Sequence, residues 1–465
     1  MSGDSKTVKD FYNYFLGDLL VKGFMFLSLP LLSRIMSSDD YGRMSLINAA
    51  VMILYVFISL NLQNAILNSY MKQDVDFPSY LGTVLIGLTI VQFILIIGCL
   101  FFSKPLSQIL AITEYDLHWV IIICVLLSYI YIYTSYLQGA RLSNDFVKIN
   151  VVSKVSEVFL IFIIAFFLQN DKYLSKVLSQ LIVSLLLFIF VINKIRKIAV
   201  FKFNIKYFVS AVAFSAPLIV HVLSNSLLSQ ADRLIIAREL GTSAAGIYSF
   251  AYNIAMGIIV VIMAWNSSWQ PRLYRLLDSN NHLDIRINVY KSSFVVAVLT
   301  LMAMLYSKEM VVVLAGNAYM DSISIIPIII LGNALIHIYL CYVNFTFYMK
   351  KTLLISMGTV SAMLINVVLN YYLIPVYGIS GAAWATVFSY LALSLFHYFI
   401  VSLILRKRII SIFLLIGFSS LLLLFYFIVR YLNEINEVKS IIIKLFITTV
   451  IAIAVYKKRH LCKFE

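Results

Sequence analysis

The sequence predicts an all-α polytopic membrane protein of about fourteen transmembrane helices. Three observations carry that expectation. The 465-residue chain is 62% hydrophobic and only 12% charged, with a mean hydropathy of +0.95, whereas soluble domains carry roughly 25% charged residues. The apolar residues fall in runs close to the ~20 residues that a helix needs to cross a roughly 30 Å hydrocarbon layer. Between those runs no hydrophilic stretch is long enough for a soluble catalytic domain. The dyad alternation of β-barrel strands is absent.

The first run, 12–34, follows a polar MSGDSKTVKD stretch without a cleavage site of small residues, so it reads as a retained span. The second, 44–68, is preceded by Asp39 and Asp40, carboxylates that favour a helix N-terminus. Runs at 79–102, 117–138, 149–168 and 173–193 complete a first group of six. A basic stretch, 194–208 (KIRKIAVFKFNIKYF), then reads as a linker. Runs at 209–234, 244–269, 291–314, 321–347, 352–374 and 380–404 form a second six, with 270–290 as their longest polar connection. Two further runs, 409–429 and 438–456, follow. The expected organisation is an N-terminal six-helix half (1–193), a linker (194–208), a C-terminal half (209–405), and two extra helices with a basic tail (406–465).

Thirty-six Lys and Arg against 21 Asp and Glu give a net charge of +15. In a soluble chain that balance points to nucleic acid. Here it follows topology, because cytoplasmic loops of membrane proteins collect basic residues. With the N-terminus inside, 23 of the cations fall on one side, among them Arg272, Arg275, Lys350, Lys351 and Arg406, and nine on the other. That side of nine includes Lys176, Lys308 and Lys439, placed at outer span ends, and the remaining four, Lys22, Lys154, Arg233 and Lys444, lie within spans. The split predicts both termini in the cytoplasm and an even number of spans, and it accounts for the positive charge with no nucleic-acid partner.

Cys99, Cys124, Cys341 and Cys462 are isolated and give no disulfide or zinc spacing. His221, His337 and His397 stand in separate spans without a metal motif, and no GxxxxGK[ST] phosphate loop occurs. No metal or cofactor is expected, and no energy from nucleotide hydrolysis by that route.

An internal repeat divides the chain. LLSRIMSSDDYGRMS (31–45) aligns without gaps on IIARELGTSAAGIYS (235–249) at an offset of 204, so that Arg34 falls on Arg238, Gly42 on Gly246 and Ser45 on Ser249. Six spans separate the copies, which keeps the two halves parallel and related by an axis along the membrane normal. Gly42 and Gly246 are expected to make tight turns where a Cβ would not fit.

These same residues resemble a known family. PLLSRIMSSDDYGRMSLI (30–47), YLQGARLSNDFVKINVVSKV (136–155) and LSQADRLIIARELGTSAAGIYSFAYNIA (228–255) are similar to the first hairpin, the loop before the fifth helix and the seventh and eighth helices of bacterial polysaccharide exporters. The family is that of Wzx-type O-antigen or capsule repeat-unit flippases, in the multidrug/oligosaccharidyl-lipid/polysaccharide exporter superfamily. The likeness runs over roughly residues 10 to 405. It implies a non-enzymatic flippase whose substrate is an oligosaccharide on a polyprenyl diphosphate, such as undecaprenyl diphosphate. It further implies transfer from the cytoplasmic to the outer leaflet by alternating access, with a cavity for the head group and a gap between the halves for the tail. A polysaccharide polymerase and a chain-length regulator are the implied protein partners. A basic residue in the first helix of related cationic cavities is matched here by Lys22.

Charges inside spans cost about 2.5–3.5 kcal/mol each on insertion scales, so they are the functional candidates. Asp18 and Lys22 are spaced i,i+4, and Lys154 and Glu157 i,i+3. Each pair can neutralise itself, or its lysine can line a cavity and meet the diphosphate. The substrate-binding candidates are therefore Lys22, Lys154 and Arg233. Asp18, Glu157 and Asp232 are the charge partners or ion-coupling candidates. Asp232 and Arg233 are adjacent and should point about 100° apart, away from a common partner. Lys444 is expected near an interface.

AWNSSWQPR (264–272) holds the sugar-contact candidates Asn266, Trp269 and Gln270, since aromatic faces stack on sugars and amides bond hydroxyls. An interfacial tryptophan belt explains the same residues, and Pro271 would then end the helix. Ser224, Asn225, Gln230, Asn366 and Asn370 suit interhelical hydrogen bonds. Two rival functions remain open. A multidrug or other lipid exporter would favour acidic coupling residues in an apolar cavity, and a membrane polymerase would need a large outer loop, which this chain lacks.

Overall fold

The computed structural model describes residues 2–73, 75–406 and 409–457. The basic tail residues Lys458, Arg459 and Lys463, together with Cys462, lie outside the described residues, as do Lys407 and Arg408 and the side chains of Lys6 and Lys9. Every expected span is met by a helix, and no strand occurs among the described residues. Thirteen helices there are long and apolar enough to cross a membrane, and one more apolar helix, Glu437–Lys457, follows them. The chain divides into two compact units, Met1–Gly246 and Ile247–Glu465.

The first unit opens with α1 (Ser2–Ile35) and α2 (Ser38–Ile58). Ser37 caps α2 by accepting a hydrogen bond from the Asp40 N–H, and Asp39 and Asp40 fill the first turn. The second apolar run, expected to be one helix, is broken. Leu60 and Asn61 adopt left-handed backbone conformations, and α3 (Gln63–Lys72) starts afresh. The Asn61 side-chain Oδ1 accepts from the side chains of Gln63 and Asn64, which ties the new start to the break.

Next come α4 (Phe77–Phe101), a short α5 (Ser103–Ile109), α6 (Glu114–Gly139), α7 (Ser143–Phe167) and α8 (Leu174–Ile195). α1 packs on α7, α7 on α8, and α6 on α2, α3 and α8. The expected linker is shorter than its basic composition implied, since only residues 196–204 lie outside helices. It is strapped to α4. Val200 N–H donates to the Pro78 carbonyl, Thr83 Oγ1 to the Lys202 carbonyl, and Asn204 N–H to Thr83 Oγ1. α9 (Ile205–Leu240) then packs on α2, α3 and α4.

α10 (Thr242–Asp278) begins in the first unit and continues into the second. Pro271 does not end it. Proline is tolerated in membrane helices where neighbours re-satisfy the freed backbone group, and buried Leu273 and Leu277 anchor the last turns. The polar connection expected at 270–290 therefore shrinks to residues 279–281.

The second unit continues with α11 (His282–Leu305), α12 (Ser307–Leu314), a 3-10 turn (Asn317–Ser324) and α13 (Ile326–Tyr348). α14 (Thr352–Tyr377) and α15 (Ile379–Phe399) follow, the latter running into a π turn (Ile400–Ile404). α16 (Ile412–Glu434) and α17 (Glu437–Lys457) close the chain. α13 is the buried axis of this unit and packs on α11, α14, α15 and α16. Its buried amides are satisfied in part by α10: Asn333 Nδ2 donates to the Ala255 carbonyl at 3.1 Å.

The repeat is visible as contact. A Cβ on Gly42 would strike the carbonyl oxygen of Thr242, and a Cβ on Gly246 would strike that of Ser38. Under the offset of 204, Gly42 becomes Gly246 and Ser38 becomes Thr242, so the two contacts are images of each other. Two hydrogen bonds obey the same exchange: Thr242 Oγ1 donates to Asp39, and the Ser38 and Ser243 hydroxyls lie 2.7 Å apart. A local two-fold relation produces this reciprocity. These glycines thus serve close helix approach rather than the tight turns expected of them; the positive φ before α10 belongs to Gly241.

Candidate functional site

The first unit gathers buried charge between α7 and α8. Lys154 and Glu157 are one helical turn apart on α7, and Lys154 Nζ lies 2.9 Å from Glu157 Oε2. α8 contributes Lys176, whose ammonium bonds Glu157 Oε1 and, at 3.1 Å, Gln180 Oε1. Glu157 and Lys176 keep only 6% and 9% of their side-chain surface, whereas Lys154 keeps 38%. One carboxylate thus bridges two ammonium groups, and the cluster carries a net charge of +1. Lys154 is its accessible member.

Lys176 is the member of the cluster that the sequence did not reveal. It was counted as an outer span-end charge, but it lies buried in the first turn of α8. Its i,i+4 spacing to Gln180 was a signal. Its main partner, nineteen residues earlier on another helix, was not.

Asp18 and Lys22 pair at 2.6 Å on α1, as their spacing suggested. Their side chains are 62% and 38% exposed, so this pair is far more open than Glu157 and Lys176. It forms no ion pair with the Lys154–Glu157–Lys176 cluster among the described residues, although α1 packs on α7.

Asp232 and Arg233, expected to face no common partner, pair with each other. Both are buried, and Arg233 Nη1 lies 3.2 Å from Asp232 Oδ1. The long arginine side chain folds back along α9 and also donates to the Ser229 carbonyl. Asp232 Oδ1 further accepts from the Arg233 backbone N–H.

Of the sugar-contact candidates, Asn266 meets the second unit's buried axis. Asn266 Oδ1 accepts from Asn344 Nδ2 on α13 at 2.8 Å. Gln270 Nε2 donates to Tyr274 Oη at 2.9 Å. Trp269 is buried, which removes it from an interfacial belt, and it stacks on Trp265 with ring centroids 5.9 Å apart. Trp265 in turn lies 4.4 Å from His337, which bonds Ser293 Oγ.

Lys444 is buried in the second unit, 2.7 Å from Glu309. It ties α17 to α12. Asn370 and Asn366 bond each other within α14 rather than across helices.

Residues 7–277 match the family model described as polysaccharide biosynthesis protein. The chain belongs to that family. The Lsg locus putative protein 1 of Haemophilus influenzae is 24% identical over 78% of this chain and 90% of its own length. The lipid II flippase MurJ in an inward closed conformation shares the fold with a TM-score of 0.72 at 16% identity, covering 98% of this chain and all of that one. The Vibrio cholerae MATE transporter VcmN in its bent form superposes with a TM-score of 0.52 at 14% identity, over 90% of this chain and 99% of that one. The resemblance read from the three sequence stretches is thereby borne out for the family, and the all-α membrane fold with it.

Proposed function

We propose that this protein carries a polyprenyl-diphosphate-linked oligosaccharide repeat unit from the cytoplasmic to the outer leaflet of a bacterial inner membrane, by alternating access, for O-antigen or capsule assembly. It acts as a transporter and forms no covalent bond with its cargo. Undecaprenyl diphosphate is the proposed carrier, and a polymerase and a chain-length regulator are the proposed partners downstream. Membership of the polysaccharide biosynthesis family narrows the cargo class.

One observation carries the reading further than the family does. The Lys154–Glu157–Lys176 cluster puts two ammonium groups on one buried carboxylate. A spanning segment bears such a cost where charge is used. An arriving diphosphate competes with Glu157 for Lys154, the more exposed of the two lysines, while Lys176 keeps Glu157 compensated. Lys22, released from Asp18, is the second proposed cation, and Arg233 the third. Asp18, Glu157 and Asp232 are the proposed charge partners. Asn266, Trp269 and Gln270 are the proposed sugar contacts on α10.

The same cluster favours a flippase over a cation-exporting relative of the superfamily, because surplus buried positive charge repels a cationic drug. A polymerase reading lacks support, since the longest connection between helices among the described residues, 196–204, is short.

Deleting the gene and analysing membrane lipids tests the proposal. Repeat units should accumulate on the polyprenyl carrier and remain inaccessible to reagents applied from outside. Unpolymerised repeat units already exposed on the outer face would refute it.

A further inference from the structure

The start of α11 carries a feature that the translocation chemistry does not use. An open cavity of about 490 Å³ lies against it, lined by Leu283, Arg286, Ile287, Tyr290, Lys291 and Phe294. At ~100° per residue, Leu283, Ile287, Tyr290 and Phe294 fall within about 60° of one another and form one stripe. Arg286 lies on one flank of that stripe and Lys291 on the other. All four stripe residues are exposed, as is Arg286. The opposite face, with Ile285, Asn288, Val289, Ser292 and Ser293, is buried.

The charge nearby is lopsided. Arg272 and Arg275 end α10 just before, so residues 272–291 hold four cations against Asp278 and Asp284. Both acids are engaged elsewhere: Asp278 accepts from Tyr348 Oη, and Asp284 accepts from Asn281 Nδ2. Neither lines the cavity.

We infer that this cavity is a binding site for an anionic phospholipid of the surrounding bilayer, distinct from the translocated cargo. The charge complementarity selects the occupant. Two cations on the flanks of an apolar floor match a phosphate headgroup above two acyl chains, and a guanidinium is suited to bidentate phosphate contact. Basic pockets on the cytoplasmic side of helix bundles bind such headgroups. Along the axis, Leu283 to Phe294 spans ~16 Å at 1.5 Å per residue, with the cations between its ends, so the stripe covers the headgroup level and the first carbons of an acyl chain. Tyr290, amphipathic and level with the cations, suits the headgroup boundary.

The test uses the full-length protein in detergent, with native mass spectrometry and thermal unfolding as readouts. Phosphatidylglycerol should bind saturably and raise the unfolding temperature. Phosphatidylcholine of the same acyl chains should do neither, and inorganic phosphate alone should not reproduce the effect. Arg286→Gln with Lys291→Gln should weaken phosphatidylglycerol binding at least tenfold, whereas Arg286→Lys with Lys291→Arg should retain it. Phe294→Ser, which keeps both charges, should also weaken binding. Equal binding of the two lipids by the unaltered protein, an equal effect of free phosphate, or undiminished binding by the double glutamine variant would overturn the inference.

Discussion

At the scale of the residue, the decisive feature is the stoichiometry of charge around Glu157. Removing one partner of a buried ion pair typically costs about 3–5 kcal/mol, whereas replacing the whole set by apolar residues is often neutral. Glu157→Gln, which leaves Lys176 buried without its carboxylate, should therefore lower the unfolding temperature of the detergent-purified protein by several degrees. Lys154→Met should do so less, because Lys154 is partly exposed. An unchanged unfolding temperature for Glu157→Gln would mean that the buried bridge contributes nothing. The i,i+3 spacing made Lys154–Glu157 legible in the sequence. Lys176 escaped because ion pairing across helices leaves no periodic trace, and because a lysine near a span end looks like a topological charge. The Arg233–Asp232 contact escaped for a related reason: helical angles fix where Cβ points, not where the six heavy atoms beyond it reach.

At the scale of the element, helix positions were legible almost throughout, since length and hydropathy alone decide what can cross a bilayer. Breaks and continuations were not. The α2–α3 break depends on the backbone conformation of Leu60 and Asn61, and α10 passes Pro271 because packing of Leu273 and Leu277 sustains it. Gly42 and Gly246 were correctly paired by the repeat but given the wrong task. Each lets the start of one helix sit on a carbonyl of the other. Inserting even small side chains into such close contacts costs about 1–3 kcal/mol. Gly42→Ala and Gly246→Ala should each destabilise the protein by that order and by similar amounts, read as unfolding temperatures. Gly257→Ala, where a Cβ meets nothing within 4 Å, should be nearly silent. A large effect at one of the paired glycines and none at the other would contradict the reciprocity.

At the scale of the whole molecule, the sequence predicted two halves of six helices meeting at a basic linker. By contact the chain divides into Met1–Gly246 and Ile247–Glu465, with α9 packed on α2, α3 and α4. Hydropathy marks where spans begin and end but carries no information on which spans pack together, so this grouping had no sequence signature. The family was legible because the stretches at 30–47, 136–155 and 228–255 hold polar and glycine residues whose order chance rarely repeats, and all three lie within the matched residues 7–277.

The role proposed for the α7–α8 cluster is in transport, beyond mutual neutralisation of its charges. It is tested most directly in proteoliposomes loaded with a polyprenyl-diphosphate-linked oligosaccharide on one leaflet. Appearance of the sugar on the other leaflet is followed with an externally added glycosidase. Lys154→Met, Glu157→Leu and Lys176→Met are introduced together, so that no buried charge is left unpaired and the fold is kept, as checked by unfolding temperature. Translocation by the unaltered protein and at least a tenfold loss in the triple variant are expected. Translocation at the full rate by the stable triple variant, or none by the unaltered protein, would contradict that role.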